Sequence, residues 1–262
     1  MVIKDREPRR VLVLRHGSRP DDGIDPSLDD DGMQSAQQLA AYFKSGAGNR
    51  PGFAPLKAIF CSPFRRALET AEPISDALNL PIYVEWGFCD ILGQDFTYSS
   101  DPLPFLLNRD LGNLSMHSRI DLAYQNAVMP VYPDCVGRLM QGDTGSRVKA
   151  LRRHRKALES ALGYAEGGSI LVVGHGSTHD FITNALCPDD HPRENQTPHC
   201  VPHCSVTELL EQGDDWWFLE HFGTHGQDWA DHMDRIVDKA FLQALYARQQ
   251  ELGELLCDVA RT

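Results

Sequence analysis

Two histidines follow apolar runs in this chain, and a glycine follows each histidine. His16 comes after residues 11–14 and an arginine, and His175 comes after residues 169–173 and a glycine. Short runs of this kind predict buried strands of a parallel sheet that is covered on both faces. Because ligands bind outside the carboxyl ends of such strands, we expect both imidazoles in one pocket at one edge of the sheet.

Arginine side chains stand at the same strand ends. Arg15 and Arg19 flank the first histidine, and Arg65 and Arg66 follow a predicted strand over residues 56–61. Arginines in the first turn of a helix oppose the helix dipole, so a pair at that place indicates a bound anion. The sequence therefore predicts an anion pocket that combines imidazole and guanidinium groups.

The elements that must position these residues are visible in the apolar spacing, which alternates between the periods of strands and helices. This alternation predicts an α/β protein with a mostly parallel sheet and helices on both faces. Ser62 is expected to cap the second helix, with Pro63 at its first position, and the acidic residues 29–31 favour the start of the first helix. The predicted strands are residues 11–14, 56–61, 81–85, 169–173, 202–210 and 216–220, and the predicted helices are residues 32–43, 63–71, 146–164 and a stretch ending at Leu186.

Three further regions have their own interpretation. Residues 91–145 are irregular and too long for a bare connection, so we expect an insertion with short helices, serving as a lid or specificity region, within a single domain over residues 1–262. The apolar positions of residues 236–256 predict a helix that docks on the domain or forms a dimer surface. The basic cluster at residues 152–156 is expected on a solvated helix face.

Composition restricts the partners. The 262 residues carry a formal net charge of −12, which opposes binding to nucleic acid or to an acidic membrane. No run approaches the roughly 18 apolar residues that span a bilayer, and residues 1–10 lack the apolar core of a secretion signal. Seven scattered cysteines favour a reducing compartment over a disulfide framework. We therefore expect a cytoplasmic protein that binds neither nucleic acid nor membranes.

Four segments resemble the histidine phosphatase superfamily, also called phosphoglycerate-mutase-like, and they keep its order. They are residues 14–17 (LRHG), 62–71 (SPFRRALETA), 87–90 (GFCD) and 173–176 (VGHG). The resemblance implies a three-layer sandwich with a mostly parallel sheet and an inserted lid. The nearest likeness is to the phosphatase domain of suppressor of T-cell receptor signalling proteins and to ecdysteroid-phosphate phosphatases, through residues 15–19, 61–63, 84–90, 204–209 and 224–229.

The resemblance also implies roles for the pocket residues. His16 would be the nucleophile and would carry the phosphoryl group in a covalent intermediate. Arg15, Arg66 and His175 would surround the phosphoryl oxygens, with Arg19 as a further contact. A neutral imidazole can attack phosphorus, and neighbouring guanidinium groups disfavour its protonated form. Because phosphoryl transfer needs mainly positioning and charge neutralisation, no metal or cofactor is expected.

Asp90 occupies the position where relatives carry the acid, usually glutamate, that protonates the leaving oxygen and later activates water. Aspartate is one methylene shorter than glutamate, and Glu85 is the alternative donor. Arg65 is the alternative to Arg66 as the arginine of this segment, although Arg66 precedes alanine as in the family.

Two other patterns have a structural and a functional interpretation. The pair His179 and Asp180 resembles the signature of the acid-phosphatase branch, but a glycine follows His175 where that signature has aspartate. We therefore expect the pair to be ordinary helix residues. A dense Cys/His patch could bind zinc, although its spacing matches no standard zinc ribbon; it comprises Cys187, His191, His199, Cys200, His203 and Cys204.

Three functions follow from the resemblance. The leading one is a phosphatase that acts on a small phosphorylated substrate or a phosphoprotein through a phosphohistidine on His16. The second is a phosphoglycerate mutase or bisphosphatase, which is disfavoured because residues 91–145 contain no lysine and only three arginines, Arg109, Arg119 and Arg138. The third is a weakly active binding module, which the shorter acid at Asp90 permits. The expected C-terminal helix leaves a homodimer open.

Overall fold

The fold is described by a computed structural model over residues 6–20, 25–46, 49–90, 119–128, 144–187, 201–212 and 216–221. Its strands are β1 (Arg10–Arg15), β2 (Leu56–Cys61), β3 (Ile82–Val84), β4 (Ser169–Gly174), β5 (Val206–Gln212) and β6 (Trp216–His221). Its helices are α1 (Asp30–Lys44), α2 (Arg65–Leu78), α3 (Thr144–Tyr164) and α4 (Gly176–Leu186), with a 3-10 turn at Trp86–Phe88. Each predicted strand is present, and the one expected from residue 202 begins at Val206.

One sheet contains the six described strands in the order β3-β2-β4-β1-β5-β6. Strands β3, β2, β4 and β1 run parallel, whereas β5 and β6 are antiparallel at one edge. The expected mostly parallel sheet is therefore confirmed. Arg15 at the end of β1 pairs with Gly174 at the end of β4, and β2 ends beside β4. His16, Ser62 and His175 directly follow these three strands and so begin at one edge of the sheet.

Helices cover both faces of the sheet, as the sequence predicts. Helices α1 and α2 pack together on one face, and α3 and α4 pack together on the other. Leu12 and Leu14 of β1 join the core on the α1 and α2 side, whereas Val11 and Val13 join the core on the opposite side. These four side chains are at most 5% exposed, and burial of each contributes about 1.5 to 3 kcal/mol. Packing on both faces therefore fixes where β1 ends and where the next residue lies.

Helix α1 begins at Asp30, two residues before the predicted start at Gly32, and the acidic residues 29–31 lie at its start as expected. The side chain of Asp29 caps α1 by accepting a hydrogen bond from a backbone N–H of its first turn. Helix α2 starts at Arg65, so the expected cap at Ser62 and the expected first helical position at Pro63 are wrong. The Ser62 hydroxyl instead lies 2.7 Å from Nε2 of His175. That partner is distant along the chain, so the local pattern could not reveal it.

Part of the expected insertion packs against the edge of the sheet. Ile120 forms a parallel bridge with Ile82 of β3 and is 7% exposed. Residue 120 therefore belongs to the core at this edge. The other parts of the insertion, residues 91–118 and 129–143, lie outside the described residues, as does the expected helix at 236–256. Among the helices that the structure describes, none has the length and apolar character needed to cross a membrane.

Candidate active site

The loop after β1 carries His16, and its backbone is bonded to the neighbouring elements. The His16 N–H donates a 3.0 Å hydrogen bond to the last carbonyl of β4, and the Gly17 N–H donates a 2.9 Å bond to Oγ1 of Thr70 on α2. Helix α1 also approaches closely, since a Cβ at Gly32 would lie 2.1 Å from the carbonyl oxygen of Ser18. Contacts from β4, α1 and α2 thus hold the loop in one position.

The imidazole of His16 is oriented as a nucleophile. Its ring is 3% exposed, and its Nδ1 lies 2.7 Å from the carbonyl oxygen of Gly17. A carbonyl oxygen only accepts hydrogen bonds, so Nδ1 carries the proton of the neutral ring and Nε2 carries the lone pair. Burial, the charges of Arg66 and Arg15 and two neighbouring imidazoles lower the pKa of His16 well below 6.5. His16 is therefore neutral near pH 7.

His175 stands beside His16 with the opposite tautomer. The two ring centroids are 5.3 Å apart, at an angle of 65°. A guanidinium nitrogen of Arg66 lies 3.2 Å from Nδ1 of His175 and can only donate, so Nε2 carries the proton and donates to Ser62. Burial is the largest cause that lowers the pKa of His175 to about 3, with Asp90 acting in the opposite direction. His175 is thus neutral and offers an N–H toward Ser62.

Arg66 lies inside the pocket, whereas Arg65 lies outside it. The Arg66 side chain is 1% exposed, with Nη2 3.0 Å from Asp90 and Nη1 3.9 Å from Asp25. The Arg65 side chain is 48% exposed and pairs with Glu69 one helical turn further on. Of the two arginines considered from the sequence, the structure brings Arg66 to the histidines.

Arg15 and Arg19 both act electrostatically on the pocket. Arg15 donates to the carbonyl oxygen of Val201, and Arg19 donates to the carbonyl oxygen of Pro20 at 2.6 Å. After burial, the charges of these two arginines are the largest causes that lower the pKa of His203, a third histidine beside His16. The pocket is therefore strongly cationic within a chain whose net charge is −12.

Asp90 faces the same pocket from the segment that follows β3. Its carboxylate accepts a 3.0 Å hydrogen bond from Arg66 and a 3.2 Å bond from the hydroxyl of Ser177, and it lies 3.4 Å from Nδ1 of His175. The side chain is 23% exposed, so it lies where a ligand from solvent could reach it. A carboxyl group in this position can exchange protons with an oxygen bound between the histidines.

Helix α3 supports the turn that leads to Asp90. Nη1 of Arg153 donates to three backbone carbonyls of that turn, at 3.1 Å to Trp86, 3.3 Å to Gly87 and 2.8 Å to Cys89. The helix comes close because residue 87 is glycine: a Cβ there would lie 2.3 Å from the Cβ of a helix residue. One guanidinium group therefore fixes the backbone from which Asp90 extends.

Glu85, the alternative proton donor, is occupied by other contacts. It is 0% exposed, and its oxygens accept hydrogen bonds of 2.8 Å from the Gly87 N–H, 2.8 Å from the Ala127 N–H and 2.9 Å from the Tyr124 hydroxyl. These contacts join the turn before Asp90 to the described part of the insertion. Glu85 thus serves the backbone around the site, and Asp90 is the acid beside the histidines.

The structure adds residues to the site that sequence reasoning missed. The basic cluster was expected in solvent, yet Arg153 is half-buried and His154 is 0% exposed. His203 was considered only as a zinc ligand, yet its ring centroid lies 5.3 Å from that of His16. The burial of His154 could be inferred from the sequence, since Ala157 and Leu158 lie one helical turn further along the same face of α3. No sequence signal connects His203 with His16.

The remaining patterns are the pair His179 and Asp180 and the Cys/His patch. His179 is fully buried, and its Nδ1 lies 2.7 Å from Oγ1 of Thr207 on β5. No group of three or more potential metal ligands occurs among the described residues. Burial raises the pKa of the Cys204 thiol to about 12. The other candidate zinc ligands at positions 191, 199 and 200 lie outside the described residues.

Comparison with protein families matches this region to histidine phosphatases. The family described as "Histidine phosphatase superfamily (branch 1)" matches residues 11–100. The 55 kDa subunit of transcription factor tau from Saccharomyces cerevisiae is 38% identical over 90 residues, which cover 29% of this chain and 19% of that protein. The match thus spans about a fifth of the length of that curated relative.

Solved structures of similar fold include phosphatases and a mutase. The ecdysone phosphate phosphatase from Bombix mori, in complex with tungstate, has a TM-score of 0.58 and 20% identity, covering 84% of this chain and 94% of that one. A mycobacterial glucosyl-3-phosphoglycerate phosphatase has a TM-score of 0.53 and 20% identity, covering 83% and 100%. Phosphoglycerate mutase from Bacillus anthracis has a TM-score of 0.51 and 17% identity, covering 84% and 95%. The expected three-layer fold is confirmed by these similarities.

Proposed function

We propose that this chain, whose residues 11–100 match the family described as "Histidine phosphatase superfamily (branch 1)", is a histidine phosphatase and hydrolyses phosphate monoesters through a phosphohistidine on His16. The superfamily supports phosphatase or mutase activity, and the proposal selects hydrolysis. The observation that carries it is the arrangement of His16, His175 and Arg66. The Nε2 lone pair of a neutral, buried imidazole lies beside a second neutral imidazole and a buried guanidinium group.

The first step transfers the phosphoryl group to the enzyme. Nε2 of His16 attacks phosphorus, and the bond from phosphorus to the ester oxygen breaks. The leaving oxygen takes a proton from the carboxyl group of Asp90. A phosphate dianion beside Asp90 favours the protonated form of this acid, because two like charges repel each other.

The second step releases inorganic phosphate. A water molecule attacks phosphorus and transfers a proton to the carboxylate of Asp90. The bond between phosphorus and Nε2 breaks, and its electron pair returns to the ring of His16. The site thus regains the state in which it began, as acid and base roles alternate on one residue.

The charged groups of the pocket stabilise the transferring phosphoryl group. Its negative charge is spread over three oxygens in the transition state. Arg66 and Arg15 would neutralise part of that charge, with Arg19 as a further contact and with His175 beside the phosphoryl group if its N–H turns from Ser62 to a phosphoryl oxygen. A single arginine in this role accelerates phosphoryl transfer by about 10³ to 10⁵.

We propose a small phosphorylated molecule or a phosphoprotein as the substrate. A mutase must hold a sugar acid with several negative charges, which requires cations beyond the phosphoryl pocket. In the insertion, the partly exposed Arg119 pairs with Asp76 of α2. Arg109 and Arg138 lie outside the described residues. The charge of the described site therefore favours a single phosphoryl group.

The first test is hydrolysis of para-nitrophenyl phosphate by the wild-type chain and by His16→Ala. We expect the wild type to release inorganic phosphate. In the variant, kcat should fall by ~10⁶-fold, as it does when an enzyme loses a covalent nucleophile. Acid-labile and base-stable labelling of the wild type by the substrate's phosphoryl group would identify the intermediate. His179→Gln is the control, since Nδ1 of this buried histidine lies 2.7 Å from Oγ1 of Thr207 on β5 and the proposed reaction gives it no role, and it should retain turnover.

Three results would contradict parts of this proposal. Turnover by His16→Ala at the wild-type rate would exclude His16 as the nucleophile. Interconversion of phosphoglycerates without release of phosphate would make the chain a mutase. Binding of a phosphate analogue without turnover of any phosphomonoester would make it a binding module.

A further inference from the structure

His203 is a pocket histidine to which the proposed reaction gives no role. It lies on the turn before β5, and its ring centroid is 5.3 Å from that of His16, with 41° between the ring planes. The residue is half-buried, so part of it is accessible to solvent. His16 thus has an imidazole neighbour at 5.3 Å in His203 and another at 5.3 Å in His175.

The turn that carries His203 is bonded to the backbone of the nucleophile loop. The Cys204 N–H lies 3.1 Å from the carbonyl oxygen of Arg15 and 3.3 Å from that of His16, and the Arg15 N–H donates at 3.1 Å to the carbonyl of Ser205. Cys204 has a φ of 57°, a left-handed conformation that non-glycine residues rarely adopt. These bonds hold His203 and His16 at a fixed separation.

Among the described residues, the charged groups that act on His203 are cationic. They are Arg15 at the end of β1, Arg19 in the following loop and Arg66 on α2. Burial and these three charges lower the pKa of His203 well below 6.5, so the ring is neutral near pH 7. A neutral imidazole has one N–H donor. His203 can therefore donate a hydrogen bond to an anion while it adds no positive charge to those of the three arginines.

We propose that His203 contacts the phosphoryl group bound at His16 and donates a hydrogen bond to one of its non-bridging oxygens. This assignment rests on the proposed function, since it deepens the description of the same pocket. A phosphoryl group in line with Nε2 of His16 spreads three oxygens around the axis of attack. A ring centred 5.3 Å from that of His16 is close enough for its N–H to reach that space.

The test measures the affinity of tungstate, a tetrahedral dianion without a leaving group, by calorimetry near neutral pH. His203→Leu removes the donor at similar volume, and His203→Gln keeps an N–H donor at similar reach. Loss of a hydrogen bond to a charged group weakens binding by about tenfold to a hundredfold. We expect that loss with leucine and a tungstate affinity within about threefold of the wild type with glutamine.

A second comparison separates direct contact from an effect through His16. In a His16→Ala background, His203→Leu should weaken tungstate binding by the same factor as in the wild-type background, because a direct contact does not need the neighbouring ring. A factor that disappears in that background would assign His203 to the positioning of His16 and would overturn the proposed contact. His179→Gln, a buried histidine bonded to Thr207, is the control and should bind tungstate as the wild type does.

The remaining outcomes are also decisive. Wild-type tungstate affinity in folded His203→Leu, or an equal loss with leucine and glutamine, would overturn the hydrogen bond while leaving the proposed hydrolase intact. Thermal melting identifies a variant that fails to fold, and His203→Ala then replaces it. A wild-type chain that neither binds tungstate nor hydrolyses phosphomonoesters would contradict the proposed function, and the role of His203 with it.

Discussion

At the scale of single residues, two carboxylates follow β3 closely along the chain, and their surroundings give them different tasks. Glu85 is buried and accepts hydrogen bonds from backbone N–H groups and a tyrosine hydroxyl. Asp90 is partly exposed and meets Arg66, Ser177 and His175. An acid that exchanges protons with a substrate must be reachable from the pocket. The difference in exposure therefore supports Asp90 as the donor despite its shorter side chain.

The substitution Asp90→Asn removes this proton donor and preserves its size. Alkyl phosphates need protonation of a basic leaving oxygen, so their kcat/KM should fall by about 10² to 10⁴. Para-nitrophenyl phosphate has a stable leaving anion, so its kcat/KM should fall much less. Steady-state assays with both substrates measure the contrast.

Glu85→Gln is the matched control for that experiment. Because Glu85 bonds the backbone of the turn and exchanges no proton with the substrate, we expect lower thermal stability and a much smaller difference between alkyl and aryl phosphates than Asp90→Asn produces. Equal sensitivity of aryl and alkyl phosphates to Asp90→Asn would contradict the donor role of Asp90.

At the scale of elements, α3 determines the position of the turn that carries Asp90. Arg153 donates to three carbonyls of that turn, and Gly87 lets the turn approach the helix. The helix and the strand β3 come from distant parts of the chain, and the hydrogen bonds of one side chain connect them. Helix α3 is therefore both a cover for the sheet and a support for the site.

Arg153→Gln should loosen that turn. Loss of hydrogen bonds from a charged group costs about 1 to 3 kcal/mol, so the free energy of unfolding should decrease by this amount. Because Asp90 would be less well placed, kcat/KM for alkyl phosphates should fall more than kcat/KM for para-nitrophenyl phosphate. Chemical denaturation and the two-substrate assay measure both effects.

Arg152→Gln is the control on the same helix, since the neighbouring Arg152 is exposed. This variant should change neither the free energy of unfolding nor the relative kcat/KM for alkyl and aryl phosphates, because a solvated arginine makes little net contribution to stability. An Arg153→Gln variant with the stability and the substrate preference of the wild type would contradict the supporting role of α3.

The strands and the cap of α1 could be predicted from the sequence because their causes are local. Apolar runs define β1, β2 and β4, and Asp29 lies directly before α1. The start of α2 could not be predicted, since the hydroxyl of Ser62 is bonded to His175. Likewise, the burial of Arg153 and the place of His203 depend on contacts between distant segments, which no periodicity encodes.

In the pocket, too, some features could be predicted from the sequence and others could not. The strand ends predict His16 and His175 at one edge, because parallel strands bring their carboxyl ends together. Sequence register left Asp90 and Glu85 as alternatives, and only the hydrogen-bond partners of each carboxylate distinguish them. The family resemblance names the residue types at the site, whereas burial and tautomers come from the structure.

At the scale of the whole molecule, the buried histidines make stability depend on pH. The pKa of each of His16, His154, His175, His179 and His203 is lowered by burial, to about 3 for His175 and His179. The unfolded chain, with a histidine pKa near 6.5, therefore binds more protons than the folded chain between about pH 6.5 and 3. Stability must decrease as the pH falls through this window.

The expected decrease is up to about 1.4 kcal/mol per pH unit for each buried histidine. Urea denaturation at pH 7 and pH 5 measures it, and the free energy of unfolding should be lower at pH 5. His179→Gln removes one of these groups and should reduce the slope. A chain as stable at pH 5 as at pH 7 would show that the histidines are protonated in the folded state.

The strand order has a consequence for the folding of this protein during its synthesis on the ribosome. Strand β1 lies between β4 and β5, so both of its neighbours are synthesised long after it. Until β4 emerges, the nascent segment around His16 has no partner in the sheet, and such unpaired apolar strands are prone to aggregation. Among the pairings of the described strands, that of β2 with β3 is the one that can form before β4 emerges. Chaperone capture of stalled chains that end before β4, but not of chains that include β5, would reveal this vulnerable interval.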